Sequence, residues 1–153
     1  MELYSYRNFC GLTLRVGCTD KYLTSLVRVD KAGEDNPTPL SELVFAQLGE
    51  YFAGTRREFD IPFRTNGSEF RERVWKALCE IPYGETRSYR EIAAAIGDAK
   101  ACRAVGGANH ANPICIIIPC HRVVNADRTL GGYGGGLDMK EILLEIERKN
   151  KNV

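Results

Sequence analysis

The residues best suited to chemistry lie together in Pro119-Cys120-His121-Arg122. A cysteine thiolate is a strong nucleophile, and a nearby imidazole can withdraw the thiol proton. Because an unperturbed thiol has a pKa of roughly 8.5, we expect Cys120 to titrate below that value if it reacts at neutral pH. Neighbours on an extended chain face opposite ways, so a local turn or a bridging water must join sulfur and ring. Free cysteines are also common core residues, so the motif alone leaves a structural Cys120 open.

The elements around this motif predict a rigid, mainly helical support. The β-branched run Ile114–Ile118 predicts a buried strand that ends at the thiol. Ser88 and Glu91 form a capping box, which opens a short helix before Gly97. A second short helix is predicted over Lys100–Asn109. Two short helices joined by a tight turn form a helix-turn-helix, although many such pairs are only packing units.

The first part of the chain predicts an α/β lobe. Alternating apolar residues predict strands at Cys10–Val16 and Leu23–Val29. A helix with one apolar face follows from Leu40 and ends at Gly54. Since proline and Asn-Gly interrupt the stretch 59–67, we predict one domain over residues 1–66, linker included, and a second over 67–153.

Composition narrows the class of protein. Lys and Arg total 21 against 20 for Asp and Glu, so the net charge of +1 excludes a strongly cationic nucleic-acid coat but permits a local basic face. The six cysteines lack framework spacing, and the chain shows neither an export signal nor an apolar run that could span a bilayer. We therefore expect free thiols, a cytoplasmic location and no membrane association. With two histidines and no CxxC pair, no metal site is expected.

The second half of the chain resembles the O6-alkylguanine-DNA alkyltransferases, a family of direct-reversal DNA repair proteins. Ordered matches over most of this half make chance similarity improbable, unlike a single short motif. The segments that carry the resemblance are Phe70-Arg71-Glu72-Arg73-Val74-Trp75, Ile81-Pro82-Tyr83-Gly84-Glu85-Thr86, Ser88-Tyr89, Arg103-Ala104-Val105-Gly106-Gly107-Ala108, Asn112-Pro113, Ile118-Pro119-Cys120-His121-Arg122-Val123-Val124, Gly132-Tyr133, Gly135-Gly136 and Lys140-Glu141. The first lobe is similar by element order only.

The resemblance implies a ribonuclease-H-like α/β lobe and a mainly α lobe with a winged-helix-like helix-turn-helix. It also implies irreversible transfer of one alkyl group, most often methyl, from O6-alkylguanine in duplex DNA. Cys120 matches the acceptor, His121 the general base and Glu147 the carboxylate that orients the histidine. Tyr89 matches the tyrosine that donates a hydrogen bond to the leaving base. No cofactor is implied, and a monomer is expected.

The resemblance further implies a DNA surface and an alkyl pocket. Arg103 matches the arginine that enters the duplex in place of the flipped nucleotide, and the small residues Ala104 and Gly107 let the helix approach the minor groove. Arg122 is also assigned to the DNA contact. The pocket residues implied are Asn112, Gly131, Gly132, Tyr133 and Gly135.

Two other functions stay open at this stage. A non-catalytic alkyltransferase-like protein would bind damaged guanine and recruit other factors, but those relatives replace the acceptor cysteine, which is present here as Cys120. A Cys–His hydrolase would form an acyl-enzyme and turn over repeatedly. An alkyl acceptor would instead react once, because water does not cleave a thioether.

Overall fold

The computed structural model describes residues 1–152. It divides the chain into two compact units, the first over residues 1–65 and the second starting at Asn66. The division predicted from the sequence falls one residue later. The first unit has a sheet and one helix, and the second has a smaller sheet and several helices.

The first unit contains an antiparallel sheet with strand order β1-β2-β3. Its strands are β1 (Leu3–Phe9), β2 (Leu12–Cys18) and β3 (Leu23–Val29). Leu12, Leu14 and Val16 alternate along β2 and are buried, as expected for the central strand of a half-covered sheet. The strand predicted from the alternation of Leu12, Leu14 and Val16 is therefore present as β2.

The prediction of a first strand at Cys10–Val16 was wrong at its beginning. Cys10 and Gly11 form the turn between β1 and β2, with φ of +53° and +82°, and left-handed pairs of this kind suit two-residue hairpins. Strand β1 escaped the sequence analysis because Ser5 is its only buried residue. An edge strand of this kind shows no apolar alternation.

Helix α1 (Pro39–Phe52) completes the first unit. The Thr38 side chain accepts a hydrogen bond from the Ser41 backbone N–H, and Pro39 occupies the first helical position. Val44 and Leu48 are buried. The predicted stop at Gly54 is consistent with its left-handed φ of +82°.

The second unit contains the helices α2 (Glu69–Cys79), α3 (Tyr89–Ala95), α4 (Cys102–His110) and α5 (Leu137–Asn150). Two short parallel strands, β4 (Arg87–Ser88) and β5 (Val123–Val124), accompany them. The predicted N-caps are present, since the side chains of Ser68 and Ser88 accept hydrogen bonds from the first turns of α2 and α3. Within residues 1–152, the structure contains no helix with the length and apolar character to cross a membrane.

The predicted buried strand at Ile114–Ile118 is not a strand. Ile118 donates its backbone N–H to the carbonyl oxygen of Ile114 at 3.1 Å, and Ile116 has a left-handed φ of +71°. The segment is therefore a compact series of turns. Ile114, Ile116 and Ile118 are buried as predicted and Ile117 is half-buried, but burial in a helical unit does not require an extended backbone.

Candidate active site

Cys120 opens a single 3-10 turn, Cys120–Arg122, directly after Pro119. The Cys120 side chain is buried, and its Sγ lies 3.7 Å from the hydroxyl oxygen of Tyr133. The carbonyl oxygen of Cys120 accepts a hydrogen bond of 3.3 Å from Nδ2 of Asn109 on α4. The thiol is thus held by a turn rather than by the end of a strand.

The environment of Cys120 does not lower the pKa of its thiol, contrary to the expectation from the sequence. Burial raises the pKa, while hydrogen bonds with Asn112 and Tyr133 and the positive charge of Lys140 lower it by less. The pKa therefore lies above its ordinary value, and the resting thiol is protonated at neutral pH. Reaction at this sulfur needs a base that removes its proton.

His121, the next residue in the chain, has the chemistry of such a base. Its Nε2 lies 2.6 Å from Oε2 of Glu147, and both side chains are buried. Because an ionised carboxylate can only accept hydrogen bonds, Nε2 must carry the hydrogen of a neutral ring. The other ring nitrogen, Nδ1, is buried without a hydrogen-bond partner in residues 1–152. Burial lowers the pKa of His121 despite the charge of Glu147, so the ring is neutral and can accept a proton.

Arg122 does not face outward, and the predicted contact of its side chain with DNA does not fit this position. Its Nε donates to Oε1 of Glu147 at 2.8 Å, and its Nη1 donates to the carbonyl oxygen of Ile81 at 2.7 Å. With 9% of the side chain exposed, the guanidinium is occupied inside the unit. We therefore reassign Arg122 from the DNA surface to the buried cluster around Glu147.

Glu147 is ionised in this cluster. Burial alone would raise the pKa of its carboxyl, but the charges and hydrogen bonds of His121 and Arg122 outweigh burial and hold the pKa well below its usual range. The backbone N–H of Gly84 adds a hydrogen bond of 3.1 Å to Oε1. The carboxylate thus orients His121 and can stabilise a positive charge that forms on the ring.

Lys140 on α5 is a buried cation that the sequence analysis did not assign to the site. Its Nζ donates to the carbonyl oxygens of Val123 at 2.7 Å and Gly132 at 3.2 Å, and also to that of Leu130. Burial lowers the pKa of Lys140 to about 8, and the nearby Cys120 thiolate would raise it. Lys140 therefore ties the loop before Tyr133 to α5 and places positive charge near the sulfur.

Tyr89 begins α3 and borders the same region. Burial raises the pKa of its hydroxyl, so the group keeps its proton and can donate it. A Cβ added to Gly131 would lie 3.4 Å from the Tyr89 hydroxyl oxygen, so Gly131 and this hydroxyl face the same space. Gly106 on α4 lies against the Tyr89 ring, since a Cβ added there would lie 3.9 Å from Cε1. Small residues here allow α3 and α4 to pack closely.

The predicted pocket glycines occupy different surroundings. Gly131 has a φ of +70°, whereas a Cβ added to Gly132 would meet no atom within 4 Å. At Gly135 a Cβ would lie 2.7 Å from Sδ of the buried Met139. Gly135 thus permits packing of the loop on α5, and of the three glycines only Gly131 borders Tyr89.

We expect Gly131→Ala to slow transfer at Cys120 by roughly tenfold to a hundredfold. The added methyl group would enter the space beside Tyr89 at a backbone conformation that alanine tolerates poorly. Gly132→Ala is the matched control, since its methyl group meets open space. Transfer rates measured by intact-protein mass spectrometry would contradict this assignment if both variants lost activity equally.

Asn112 fastens the segment that precedes Cys120. Its Nδ2 donates to the carbonyl oxygen of Ile118 at 2.8 Å, and its Oδ1 accepts the backbone N–H of Ile114 at 3.0 Å. The predicted tie between the helix-turn-helix and the active-site segment is therefore present in the geometry. The segment that Asn112 fixes is a series of turns, and not the strand that the sequence predicted.

The three helix α4 residues predicted to contact DNA share one exposed face. Arg103, Ala104 and Gly107 are exposed, whereas Val105 and Ala108 on the opposite face are buried. Spacings of three and four residues bring positions 103, 104 and 107 together on a helix surface. The geometry thus leaves this face available to a ligand, with one arginine among small residues.

Models of two domains of one protein family match the chain. The 6-O-methylguanine DNA methyltransferase DNA binding domain matches residues 69–149, and the ribonuclease-like domain of the same methyltransferase matches residues 8–65. This chain belongs to the O6-methylguanine DNA methyltransferase family. The resemblance predicted from the sequence is thereby confirmed, and it extends to the first unit as well.

Individual members of the methyltransferase family are similar over most of the chain. A methylated-DNA–protein-cysteine methyltransferase of Mycolicibacterium paratuberculosis is 55% identical over 137 residues, which cover 86% of this chain and 83% of that protein. The crystal structure of Mycobacterium tuberculosis O6-methylguanine methyltransferase is 44% identical, with a TM-score of 0.89 over 98% of this chain and 94% of that one. The Mycobacterium tuberculosis protein in complex with DNA is 45% identical, with the same TM-score over 96% and 93% of the two chains. The two-unit architecture is therefore that of the methyltransferase family.

Lys140, which the sequence analysis did not assign to this methyltransferase site, could have been found from the pattern of α5, as Glu147 could without the resemblance. Lys140 and Glu147 lie seven residues apart on α5, in register with the buried Leu143. Charged residues on the apolar face of an amphipathic helix are rarely buried unless they are paired. Asn109 offered no comparable signal, since its hydrogen bond to Cys120 depends on how α4 packs.

Proposed function

We propose that this protein repairs O6-alkylguanine in double-stranded DNA by moving the alkyl group onto Cys120. The observation that carries the proposal is the buried thiol of Cys120 next to the His121–Glu147 pair in a chain of the methyltransferase family. Neither a metal ion nor a cofactor is needed for this chemistry. The preferred substrate is O6-methylguanine, the lesion for which the family is named.

The first step removes the proton from the thiol. His121 accepts it at Nδ1, through one water molecule, while Nε2–H stays bonded to Glu147. The negative carboxylate stabilises the imidazolium that forms, and Arg122 and the Gly84 backbone hold that carboxylate in place. Lys140 and Tyr133 lower the cost of the negative sulfur. The thiolate therefore forms only when His121 takes up the thiol proton.

The second step transfers the alkyl group. The sulfur of Cys120 attacks the alkyl carbon in line, a C–S bond forms, and the bond from carbon to the guanine oxygen breaks with its electron pair on guanine. Tyr89 donates a hydrogen bond to the leaving base, which lowers the barrier because a free guanine anion is a poor leaving group. The proton held by His121 restores the neutral base and tyrosine. Sulfur retains the alkyl group as a thioether.

The product explains why such a protein would act once. Water has no activated carbonyl to attack in a thioether, so the alkyl group stays on Cys120. A single event per molecule distinguishes this activity from a Cys–His hydrolase, which would regenerate its thiol.

The substrate base must leave the duplex before it reaches a buried thiol. Extrusion of a nucleotide costs a few kcal/mol, which contacts with the deformed DNA must repay. We assign Arg103 on the exposed face of α4 to the space left by the base, with Ala104 and Gly107 against the minor groove. This surface needs no sequence readout, because the lesion itself is recognised in the pocket.

We expect Arg103→Ala to slow repair in duplex DNA by roughly tenfold or more. Reaction with free O6-benzylguanine should change little, because a free base needs no extrusion. Lys149→Ala on α5 removes one positive charge from another exposed position and serves as control. Equal losses on both substrates, measured as rates of Cys120 alkylation, would remove Arg103 from the extrusion step.

The proposal also covers the fold type of each unit, the oligomeric state and the cellular compartment. We infer a ribonuclease-H-like first unit, supported by its antiparallel sheet and α1, and a winged-helix-like second unit, supported by the α3–α4 pair. We also infer a monomer, since one chain carries the whole acceptor site. Six free cysteines support a reducing compartment such as the cytoplasm.

The decisive experiment follows methyl transfer from a duplex that contains one labelled O6-methylguanine. One label per protein molecule should appear on the peptide that contains Cys120, and the reaction should stop there with excess DNA. Repeated turnover would favour the hydrolase. Tight binding to the damaged duplex without any label would favour the non-catalytic damage-binding protein.

A further inference from the structure

Two buried side-chain atoms near the acceptor have no hydrogen-bond partner within residues 1–152. They are Oδ1 of Asn109 on α4 and Nδ1 of His121. Buried polar atoms in folded proteins are nearly always hydrogen-bonded, either to the protein or to ordered water. An unpaired pair of this kind beside a reacting group therefore points to a bound water. The proposed mechanism gives Asn109 no part in the reaction.

The hydrogen bond that Asn109 makes determines which end of its amide is unpaired. Its Nδ2 donates to the carbonyl oxygen of Cys120 at 3.3 Å. The reverse orientation would set two acceptor oxygens against each other, so the nitrogen must face Cys120. Oδ1 is the end left over, and an amide oxygen can only accept a hydrogen bond.

Packing fixes the Asn109 amide beside the peptide group that joins Cys120 to His121. The carbonyl oxygen that Asn109 binds belongs to that peptide group. Nε1 of Trp75 on α2 donates to the carbonyl oxygen of Ala108 at 2.8 Å, which holds the adjacent part of α4 in place. The amide of Asn109 and the ring of His121 therefore border one peptide group.

The two unpaired atoms are both acceptors, so they cannot bond to each other. The ring hydrogen of His121 is on Nε2 and faces Glu147, which leaves a lone pair on Nδ1. A group that joins two acceptors must donate two hydrogens, and water is the smallest such group. Once both hydrogens are donated, the water oxygen can only accept, and the protonated thiol of Cys120 is the donor that its relay requires.

We propose that Asn109 is a positioning residue that holds the relay water between Cys120 and His121. The inference rests on the proposed function and deepens it. The thiol proton passes to the water oxygen, and the water passes one of its own hydrogens to Nδ1 of His121. The products are a thiolate, an imidazolium and an unchanged water molecule. The bond to Asn109 persists throughout and prevents the water from turning its hydrogens toward the sulfur.

The experiment measures how Asn109→Leu alters the dependence of alkyl transfer on pH. Leucine has nearly the size of asparagine but cannot hold a water. At neutral pH the variant should react with free O6-benzylguanine about tenfold more slowly than the unsubstituted protein. The ratio of the two rates should fall toward one as the pH rises past the thiol pKa, because solvent then removes the proton that the relay would carry. The free base is used because it needs no extrusion from DNA.

Other charged and titratable groups face Cys120 and His121, and they are the same in both proteins. Their titration therefore affects both rates and does not by itself change the ratio. These groups are Tyr89, Cys115, Arg122, Tyr133, Lys140 and Glu147.

Gln47→Met is the matched control for the loss of a buried amide. Gln47 on α1 is buried, and its side chain bonds to the backbone N–H and carbonyl oxygen of Asp60 in the first unit. This variant should lose stability and keep the transfer rate of the unsubstituted protein at every pH.

The outcomes separate this inference from the proposed function. A loss in Asn109→Leu that is the same at every pH would overturn the relay role and leave Asn109 a structural support of Cys120. An unchanged rate at neutral pH would overturn it as well. Failure of the unsubstituted protein to alkylate Cys120 would instead overturn the proposed function.

A high-resolution crystal structure of the unsubstituted protein provides a test that needs no variant. An ordered water within hydrogen-bond distance of both Oδ1 of Asn109 and Nδ1 of His121 would support the inference. A water bonded to only one of these atoms, or to neither, would overturn it.

Discussion

Replacing Cys120 with serine is expected to abolish alkyl transfer, with a loss of roughly a thousandfold or more. Serine preserves the size of the side chain, but its hydroxyl is a far weaker acid than a thiol and a poorer nucleophile at neutral pH. The measurement is intact-protein mass spectrometry after incubation with a duplex that contains O6-methylguanine. The unsubstituted protein should gain the mass of one methylene group, and the variant should not.

Cys115→Ser is the matched control for this loss. Cys115 is a second buried thiol close enough for its charge to be coupled to that of Cys120. Burial raises the pKa of Cys115 well above its ordinary value, so it is a poor nucleophile. Transfer should therefore persist in Cys115→Ser. If Cys120→Ser still gained the mass of the methyl group and Cys115→Ser did not, the acceptor would be Cys115 and not Cys120.

Glu147→Gln is expected to destabilise the protein by about 3–5 kcal/mol. The amide has nearly the same shape as the carboxylate, but it leaves the buried guanidinium of Arg122 without an opposite charge. It also places an amide against Nε2 of His121. The free energy of unfolding, measured by denaturant titration, should therefore fall. The dependence of that free energy on denaturant concentration should change little, because the folded state keeps its compactness.

Glu145→Gln supplies the comparison on the same helix. Glu145 pairs with Arg148, three residues away, and both side chains are exposed. Solvent screens exposed pairs of this kind, so this variant should be nearly as stable as the original protein. Similar losses in the two variants would show that the buried cluster contributes nothing beyond an ordinary surface charge.

The stability lost in Glu147→Gln should decrease as the pH is lowered. The pKa of Glu147 is held far below that of an unfolded glutamate, so the folded protein binds fewer protons. The stabilisation is complete above the ordinary glutamate pKa of about 4.3 and is lost as the pH falls below it. The difference in unfolding free energy between the original protein and Glu147→Gln should thus be largest near neutral pH and shrink in acid. A difference that grew in acid would contradict the ionised cluster.

Several elements could be predicted because their signals are local. Ser88 and Glu91 lie three residues apart and determine where α3 begins, because the side chain of each accepts a hydrogen bond from the backbone N–H of the other. Gly54 and Gly97 follow helix ends with left-handed φ values, as C-terminal glycines do. Such signals depend on neighbours in the chain, which the sequence displays directly.

The backbone before Cys120 shows where local signals fail. A run of isoleucines records burial, and burial is correct here, but it does not specify extension. Asn112 bonds to both ends of the run and closes it into turns. A β-branched propensity worth a fraction of a kcal/mol per residue cannot oppose several such bonds together with burial.

The amino-acid sequence by itself determined the family of this protein, the acceptor cysteine with its adjacent histidine, and most helix boundaries. Only the tertiary structure decided that Arg122 turns inward and that Lys140 lies near the sulfur. The Arg122–Glu147 pair joins residues 25 positions apart, and no pattern in the chain encodes that distance. Charged side chains adopt such positions because a buried charge is stable only where packing brings it a partner.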